Sequence, residues 1–360
     1  MRIGIIGLPQ TGKKTLFSLL VGPAALSAHT DARAAARGMA DVQDARFDRL
    51  VELYRPQRQV RARLEVVLCP SIEENSLSSD NDGNALKEIA DVEALCHVVR
   101  VFADDSVYHI WGHPDPRREV EFLHNELVLH DLVFIEKRLE RIEKNLKKGK
   151  DDRADKERSL LVRFREALEK EQPLRTMLLN ADEFLLISSY PFLTRRAIIV
   201  ALNVADDRIG DTTLRDEIAS AHEPKGAKVV QIAVRAEAEI ASLDTPEERA
   251  AFMRDLGIQT PALHLLTSSC ISALGLMSFF TVGEDEVRQW FVRRGASAPE
   301  AAGVIHSDLQ RGFIRAEVMK YDNLLAAGSE EKLKSTGKYY LKGRDYTVED
   351  GDILTIRFNV

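Results

Sequence analysis

The chain has 360 residues, 44% of them hydrophobic and 30% charged, with a formal net charge of −7. This is the composition of a globular protein with room for two or three domains; its acidic balance excludes a global pull toward nucleic acid, so no DNA partner is expected and any RNA contact must come from a local patch. Three scattered cysteines, Cys69, Cys96 and Cys270, exclude a disulfide framework and a Cys-based zinc site and fit a reducing cytosol; no signal peptide and no apolar run of membrane-spanning length is evident.

Ile3, Ile5 and Ile6 form an apolar run short enough for a buried strand, and Thr15 to Leu20 begins a helix. Between them, Gly7 to Lys13 reads G-x-x-x-x-G-K, followed by Lys14 where Ser or Thr is expected. Strand, Gly-rich turn and helix are the context of a phosphate-binding loop. Gly7 and Gly12 let the backbone curl so that N–H groups point at phosphate oxygens. The helix N-terminus adds partial positive charge, and Lys13 reaches toward the outer phosphates. The candidate nucleotide-binding residues here are Pro9, Gln10, Thr11, Gly12, Lys13, Lys14 and Thr15. Lys14 replaces the hydroxyl that ligates Mg²⁺; an ammonium has only donors and repels a cation. It either lends its charge to the phosphates or points to solvent. Thr15 lies about 100° further round the helix axis and is a poor substitute. The competing reading is a Gly-rich turn that meets no nucleotide.

Residues 22–45 show little periodic apolar pattern and read as a switch loop or a solvated surface segment. Phe47, Leu50, Val51 and Tyr54 have helical spacing, ended by Pro56. Leu64 to Cys69 reads as a buried strand. Where its end would carry D-x-x-G to handle Mg²⁺ and the γ-phosphate, the chain has Leu68-Cys69-Pro70-Ser71. Lys14 and Leu68 thus both lack the needed oxygen, and the metal site reads as given up. Val92 to Cys96 is expected to end a helix, and His97 to Phe102 to form a buried strand; a loop with His109, His113, Pro114 and Pro116 follows.

Val128, Leu132, Ile135, Leu139, Ile142 and Leu146 form a heptad seam. Lys147 to Asp152 break it, and Leu161, Phe164 and Leu168 mark a returning helix. An antiparallel helical hairpin is therefore expected over 118–178. Its charged faces read either as solvated surface or as an arm for a large partner. Ala197 to Leu202 is a further buried strand, delivering Asn203-Val204-Ala205-Asp206. In such an N-x-x-D segment the Asp carboxylate can accept both N–H groups of a guanine edge, while the Asn ties the segment to the phosphate loop. Val229 to Ala233 is the next strand, with Val234-Arg235-Ala236 where a base-backing loop would follow. Strands alternating with helices predict an α/β, mainly parallel, doubly wound sheet. Residues 337–358 hold two short alternating strands with Gly-bearing turns, a small α+β module. Its Lys332, Lys334, Lys338, Lys342 and Arg344 are a candidate basic patch beside the plainer reading of a solvated surface.

Taken together, these pieces resemble the YchF family of Obg-related phosphate-loop nucleotide hydrolases. The resemblance rests on Gly7-Leu-Pro9 with Gly12-Lys13 and Thr15-Leu-Phe17; on His97-Val-Val-Arg100, Phe102, His109 and Asp115-Pro116; and on Glu136-Lys-Arg-Leu-Glu140. It extends through Ala302-Gly-Val-Ile-His306, Gly312-Phe-Ile-Arg-Ala-Glu317 and Arg357-Phe-Asn-Val360, and is weakest over 22–82. It implies a nucleotide-binding domain over 1–275, a coiled-coil arm inserted at 118–178, and a TGS domain with a β-grasp fold over 276–360. It also implies GTP or ATP as ligand, with ribosome or rRNA as partner through the arm and the TGS domain, in the cytoplasm. Departures from the family pattern are Gln10 for Asn, Lys14 for Ser, Leu68 and Ser71 for the Asp and Gly of D-x-x-G, and Asp206 for the Glu of N-x-x-E. The Glu is associated with accepting ATP, so Asp206 points back toward guanine. His109 stands where the family has a loop His proposed to assist hydrolysis; without Mg²⁺ the reading as an ordinary surface-loop residue is the better one. The expected function is a divergent nucleotide-binding protein with weak or absent hydrolysis. A slow active hydrolase and a nucleotide-free scaffold are the alternatives.

Overall fold

A computed structural model describes residues 1–27, 35–72, 88–147, 149, 151–258 and 260–359. The chain divides into two compact units, one of residues 1–40 and 65–269, the other of 41–64 and 270–360.

The first unit is built on a six-stranded sheet. Its strands are β1 (Arg2–Ile6), β2 (Ala36–Asp41), β4 (Arg63–Leu68), β5 (Ala94–Arg100), β6 (Ala197–Asn203) and β7 (Ala227–Ile232), in the order β2-β4-β1-β5-β6-β7. The pairs β1/β4, β1/β5, β5/β6 and β6/β7 are all parallel. Ile3, Ile5 and Ile6 on β1 and every residue of β5 are buried, as strands covered on both faces must be. The order reverses at β1, whose neighbours β4 and β5 lie on opposite sides. Open α/β sheets place ligands outside the carboxyl ends of the strands at such a point. There the chain leaves β1 and enters helix α1 (Lys13–Val21).

Two expectations are corrected in this unit. Residues 36–41 form a strand inside the stretch expected to be irregular. Among the described residues just before β5, 88–90 are helical and the helix stops there, so Val92 to Cys96 does not end a helix. Ala94, Leu95 and Cys96 already lie in the strand and are buried, Leu95 among Ile6, Val67 and Ile198.

The arm is a helical hairpin of α3 (Pro116–Leu146) and α4 (Asp152–Glu169); helix α2, Ala45–Tyr54, precedes them in the chain. Asp115 caps α3 through the Arg118 N–H, with Pro116 in its first turn, and Asp151 caps α4. Ile135, Leu139 and Ile142 of the seam bury against Leu160, Leu161, Phe164 and Leu168. An Arg138–Glu157 pair, with bonds of 2.6 and 3.0 Å, and a bond from the Tyr190 hydroxyl to Glu157 close the polar side.

The second unit carries its own six-stranded sheet, adding β3 (Arg58–Val60), β8 (Leu276–Thr281), β9 (Glu286–Arg293), β10 (Phe313–Lys320), β11 (Tyr339–Lys342) and β12 (Asp352–Phe358). The order is β11-β10-β12-β8-β9-β3, with β12/β8 parallel and β8/β9, β10/β11 and β10/β12 antiparallel. The division differs from the expected 275/276 boundary. Residues 41–64 fall in this unit because β3 pairs with β9 and because Phe47 and Leu50 of α2 bury against Phe280, Val287 and Ile353. The overall class is the expected one: a doubly wound parallel sheet with an inserted helical hairpin and a carboxy-terminal α+β domain.

Candidate functional site

The loop between β1 and α1 is shaped by two glycines. Gly7 has φ 142°, and a Cβ there would lie 2.5 Å from the Val98 carbonyl oxygen. Gly12 has φ 97°, and a Cβ would run into the Asn203 amide nitrogen. Both positions therefore exclude a side chain. Gln10, at φ 61°, supplies a third left-handed turn and projects into solvent, while Pro9 is half-buried. Thr11 is fully buried, its hydroxyl donating to the Leu8 carbonyl at 3.3 Å.

Asn203, the last residue of β6, joins this loop to the rest of the site. Its Nδ2 donates to the Thr11 carbonyl at 3.0 Å, and its Oδ1 accepts the Val234 N–H at 3.1 Å. Val234 opens helix α5 (Val234–Ser242), so the expected base-backing loop at 234–236 is instead the first turn of a helix. Between these parts lies a cavity of about 470 Å³ lined by Gly12, Thr15, Phe102, Asn203, Asp206 and Arg235, among others. Asp206 is half-buried; its Oδ1 is buried with no hydrogen-bond partner, and its Oδ2 lies 4.0 Å from the Arg235 guanidinium. An unpartnered buried acceptor is costly unless a donor comes to it.

Lys13 is buried and folded back on its own loop. Its ammonium donates to the Gly7 carbonyl at 2.8 Å, to the Leu8 carbonyl, and to the Ser71 hydroxyl at 3.2 Å. Burial pushes its pKa down to about 8, against the opposing pull of Glu119. Lys14 and Thr15 are exposed, Thr15 on the cavity wall. Leu68 is buried. The side chains at positions 14 and 68 thus offer Mg²⁺ no oxygen, and the Ser71 hydroxyl is engaged with Lys13; Mg²⁺ does not fit the donor set at these positions.

His109 is buried rather than on the surface. Its Nδ1 accepts the Trp111 N–H at 3.2 Å and its ring packs against Trp111; its Nε2 is buried without a partner. Burial, with Arg100 second, lowers its pKa. Among the described residues, neither contact joins it to the phosphate loop.

Two residues carry more of the site than their sequence context signals. Arg100 is buried and donates to the carbonyls of Phe102, Asp104, Val107 and Tyr108 at 3.0–3.2 Å, with its guanidinium 4.6 Å from the Phe102 ring centre. It therefore fixes the segment that forms one cavity wall. Glu119, in the first turn of α3, is fully buried beneath the loop. An arginine inside an apolar strand and a carboxylate four residues after a helix cap are the only sequence signals, and both are weak.

Strand, Gly-rich loop and helix at a sheet's switch point, with the loop tethered by Asn203, define a phosphate-loop nucleotide-binding fold. The chain is 38% identical over 366 residues to the ribosome-binding ATPase YchF of Bacillus subtilis, covering 99% of each chain. It is 36% identical to the Obg-like ATPase 1 of Caenorhabditis elegans, covering 100% of this chain and 92% of that one. The family model YchF-GTPase_C, described as a protein of unknown function (DUF933), matches residues 276–359. The solved structure of the Schizosaccharomyces pombe YchF GTPase superposes with a TM-score of 0.81 at 29% identity, covering 99% of this chain and 97% of that one. The chain belongs to the YchF family.

Proposed function

We propose that the protein binds a purine nucleoside triphosphate, GTP or ATP, with the base in the 470 Å³ cavity and the phosphates on the loop from Pro9 to Thr15, and that it hydrolyses this ligand weakly or not at all. The observation that carries the reading is the buried, unpartnered Asp206 Oδ1 on the wall of a cavity that also reaches Gly12 and Thr15. A base N–H donor satisfies that oxygen. Asn203 holds the loop and α5 in register around the ligand, and Lys13 exchanges its carbonyl partners for phosphate oxygens. Lys14, exposed at the head of α1, adds positive charge where a metal would otherwise sit. His109 is given no catalytic part, since its contacts turn away from the loop. The relatives named ribosome-binding ATPases support a cytoplasmic role on the ribosome, with the arm and the carboxy-terminal TGS-like domain as docking elements.

The second reading is a slow hydrolase that recruits Mg²⁺ through Thr15, whose hydroxyl lies on the cavity wall. Losing metal stabilisation of the transferring phosphate costs several kcal/mol, which ranks this reading second. Titration of a fluorescent nucleotide into the wild type and Lys13→Ala, with steady-state phosphate release, tests both. Binding that is lost in Lys13→Ala, with little turnover in either protein, is the expected result. Slow but measurable Mg²⁺-dependent turnover abolished by Lys13→Ala supports the second reading, and binding unchanged by Lys13→Ala removes both. Cosedimentation with purified ribosomes tests the partner.

A further inference from the structure

The floor of the phosphate loop is a buried carboxyl group. Glu119 has no exposed surface, and its Oε2 accepts the Arg100 N–H at 3.3 Å. The backbone N–H of Leu8, the first residue after the loop's leading glycine, faces the carboxyl group and favours its ionised form, and Glu119 lies within electrostatic reach of Lys13. Its other oxygen, Oε1, has no hydrogen-bond partner; His97 Nε2 lies 3.9 Å away, too far for a hydrogen bond. Burial keeps His97 neutral, so the two do not form an ion pair. Placing a carboxylate in such a site is costly in itself, and the fold gains little from it that an uncharged acceptor would not give. What this residue does hold is the backbone of the loop. The Leu8 carbonyl, on the same residue whose N–H meets Glu119, is one of the three acceptors that cage the Lys13 ammonium.

We propose that Glu119 is a positioning residue for the nucleotide phosphates. By fixing Leu8 from below, it sets the curl of the loop and presents Lys13 and the loop N–H groups to the ligand in one arrangement. Binding then does not have to order the loop, and pre-organisation of this kind appears directly as affinity. Glu119 lies in the first turn of the 31-residue helix α3, so one limb of the arm also forms the floor of the loop.

The inference rests on the nucleotide-binding reading, and the test separates the two. Glu119→Met keeps the length of the side chain but removes the acceptor; Glu119→Gln keeps one acceptor oxygen. Fluorescent-nucleotide affinity is measured on the full chain of both variants and the wild type, with amide hydrogen exchange of residues 7–13 in the ligand-free proteins. The expected result is at least about tenfold weaker binding and faster loop exchange in Glu119→Met, with most of both recovered in Glu119→Gln. Exchange in β6, and in β5 other than the Arg100 amide that Glu119 itself bonds, stays unchanged. Loop exchange and affinity in Glu119→Met equal to the wild type overturn the inference. If the wild type binds no nucleotide, the functional reading fails, while loop exchange still decides whether Glu119 holds the loop. If Glu119→Met does not fold, the Leu8 amide of the wild type decides: protection like that of β1 supports the hold, and rapid exchange contradicts it.

Discussion

Lys13 and Glu119 lie within electrostatic reach of each other, and burial drives their ionisation in opposite directions, Lys13 down to about 8 and Glu119 up to about 8. Each shift has a measurable consequence. Phosphate requires the ammonium form of Lys13, and a bound phosphate raises the lysine's pKa again. Nucleotide affinity should therefore be full at pH 7 and fall above pH 8, by up to about tenfold per unit, with proton uptake on binding; a Kd series from pH 6.5 to 9.5 checks this. For Glu119 the folded pKa lies above the unfolded value of 4.5, so unfolding releases a proton and stability falls as pH rises from 4.5 toward 8. Glu119→Gln escapes that loss. Its stability relative to the wild type should grow between pH 5 and pH 8, reaching on the order of 2–4 kcal/mol, as read by denaturant melts at the two pH values. Asn203 supplies the third residue-scale prediction. Asn203→Ala strips partners from the Thr11 carbonyl and the Val234 N–H, both bonded at about 3.0 Å. It should cost about 1–3 kcal/mol of stability and weaken nucleotide binding by about tenfold or more, as melting and titration of the same sample will show.

At the scale of elements, sequence pattern was most informative where burial is one-dimensional. Short apolar runs gave β1, β4, β6 and the second half of β5 because both faces of a parallel strand are covered, and the 4-3-4-3-4 spacing from Val128 to Leu146 gave the arm. The end of β4 was legible for the same reason, since a missing carboxylate at Leu68 needs no coordinates. Strand β2 was not legible: its sequence is Ala-Arg-Gly-Met-Ala-Asp, with only Ala36 and Ala40 buried, and two alanines make no apolar signal. The hairpin carries its own prediction. Phe164 is fully buried against Phe192, with ring centres 5.5 Å apart, and packs in a cluster with Ile135 and Leu161. Phe164→Ala should cost about 3–5 kcal/mol in a denaturant melt while leaving nucleotide affinity within about twofold.

At the scale of the whole molecule, the division of the chain was the least legible feature. Residues 41–64 stand between β2 and β4 in sequence, yet Phe47 and Leu50 find their core with Phe280, Val287 and Ile353, and β3 finds its partner in β9. Pairings across more than two hundred residues leave no local trace in a single sequence. The curl at Gly7 and Gly12 and the Asn203 tether to Thr11 were legible because each depends on residue type at fixed spacing. Arg100 and Glu119 were not, because each acts through backbone groups that only the fold brings near. The family relationship spans the whole chain, so the departures at Lys14 and Leu68 sit within an otherwise complete architecture, and the central claim is that nucleotide binding here has become independent of Mg²⁺. Thermal melting of the full chain with GTP, ATP and their diphosphates, each with Mg²⁺ and with EDTA, tests it most directly. A ligand at one hundred times its Kd stabilises by about 2.7 kcal/mol. The account predicts an upward shift in melting temperature of equal size with Mg²⁺ and with EDTA, absent in Lys13→Ala. A shift that appears only with Mg²⁺ would contradict it.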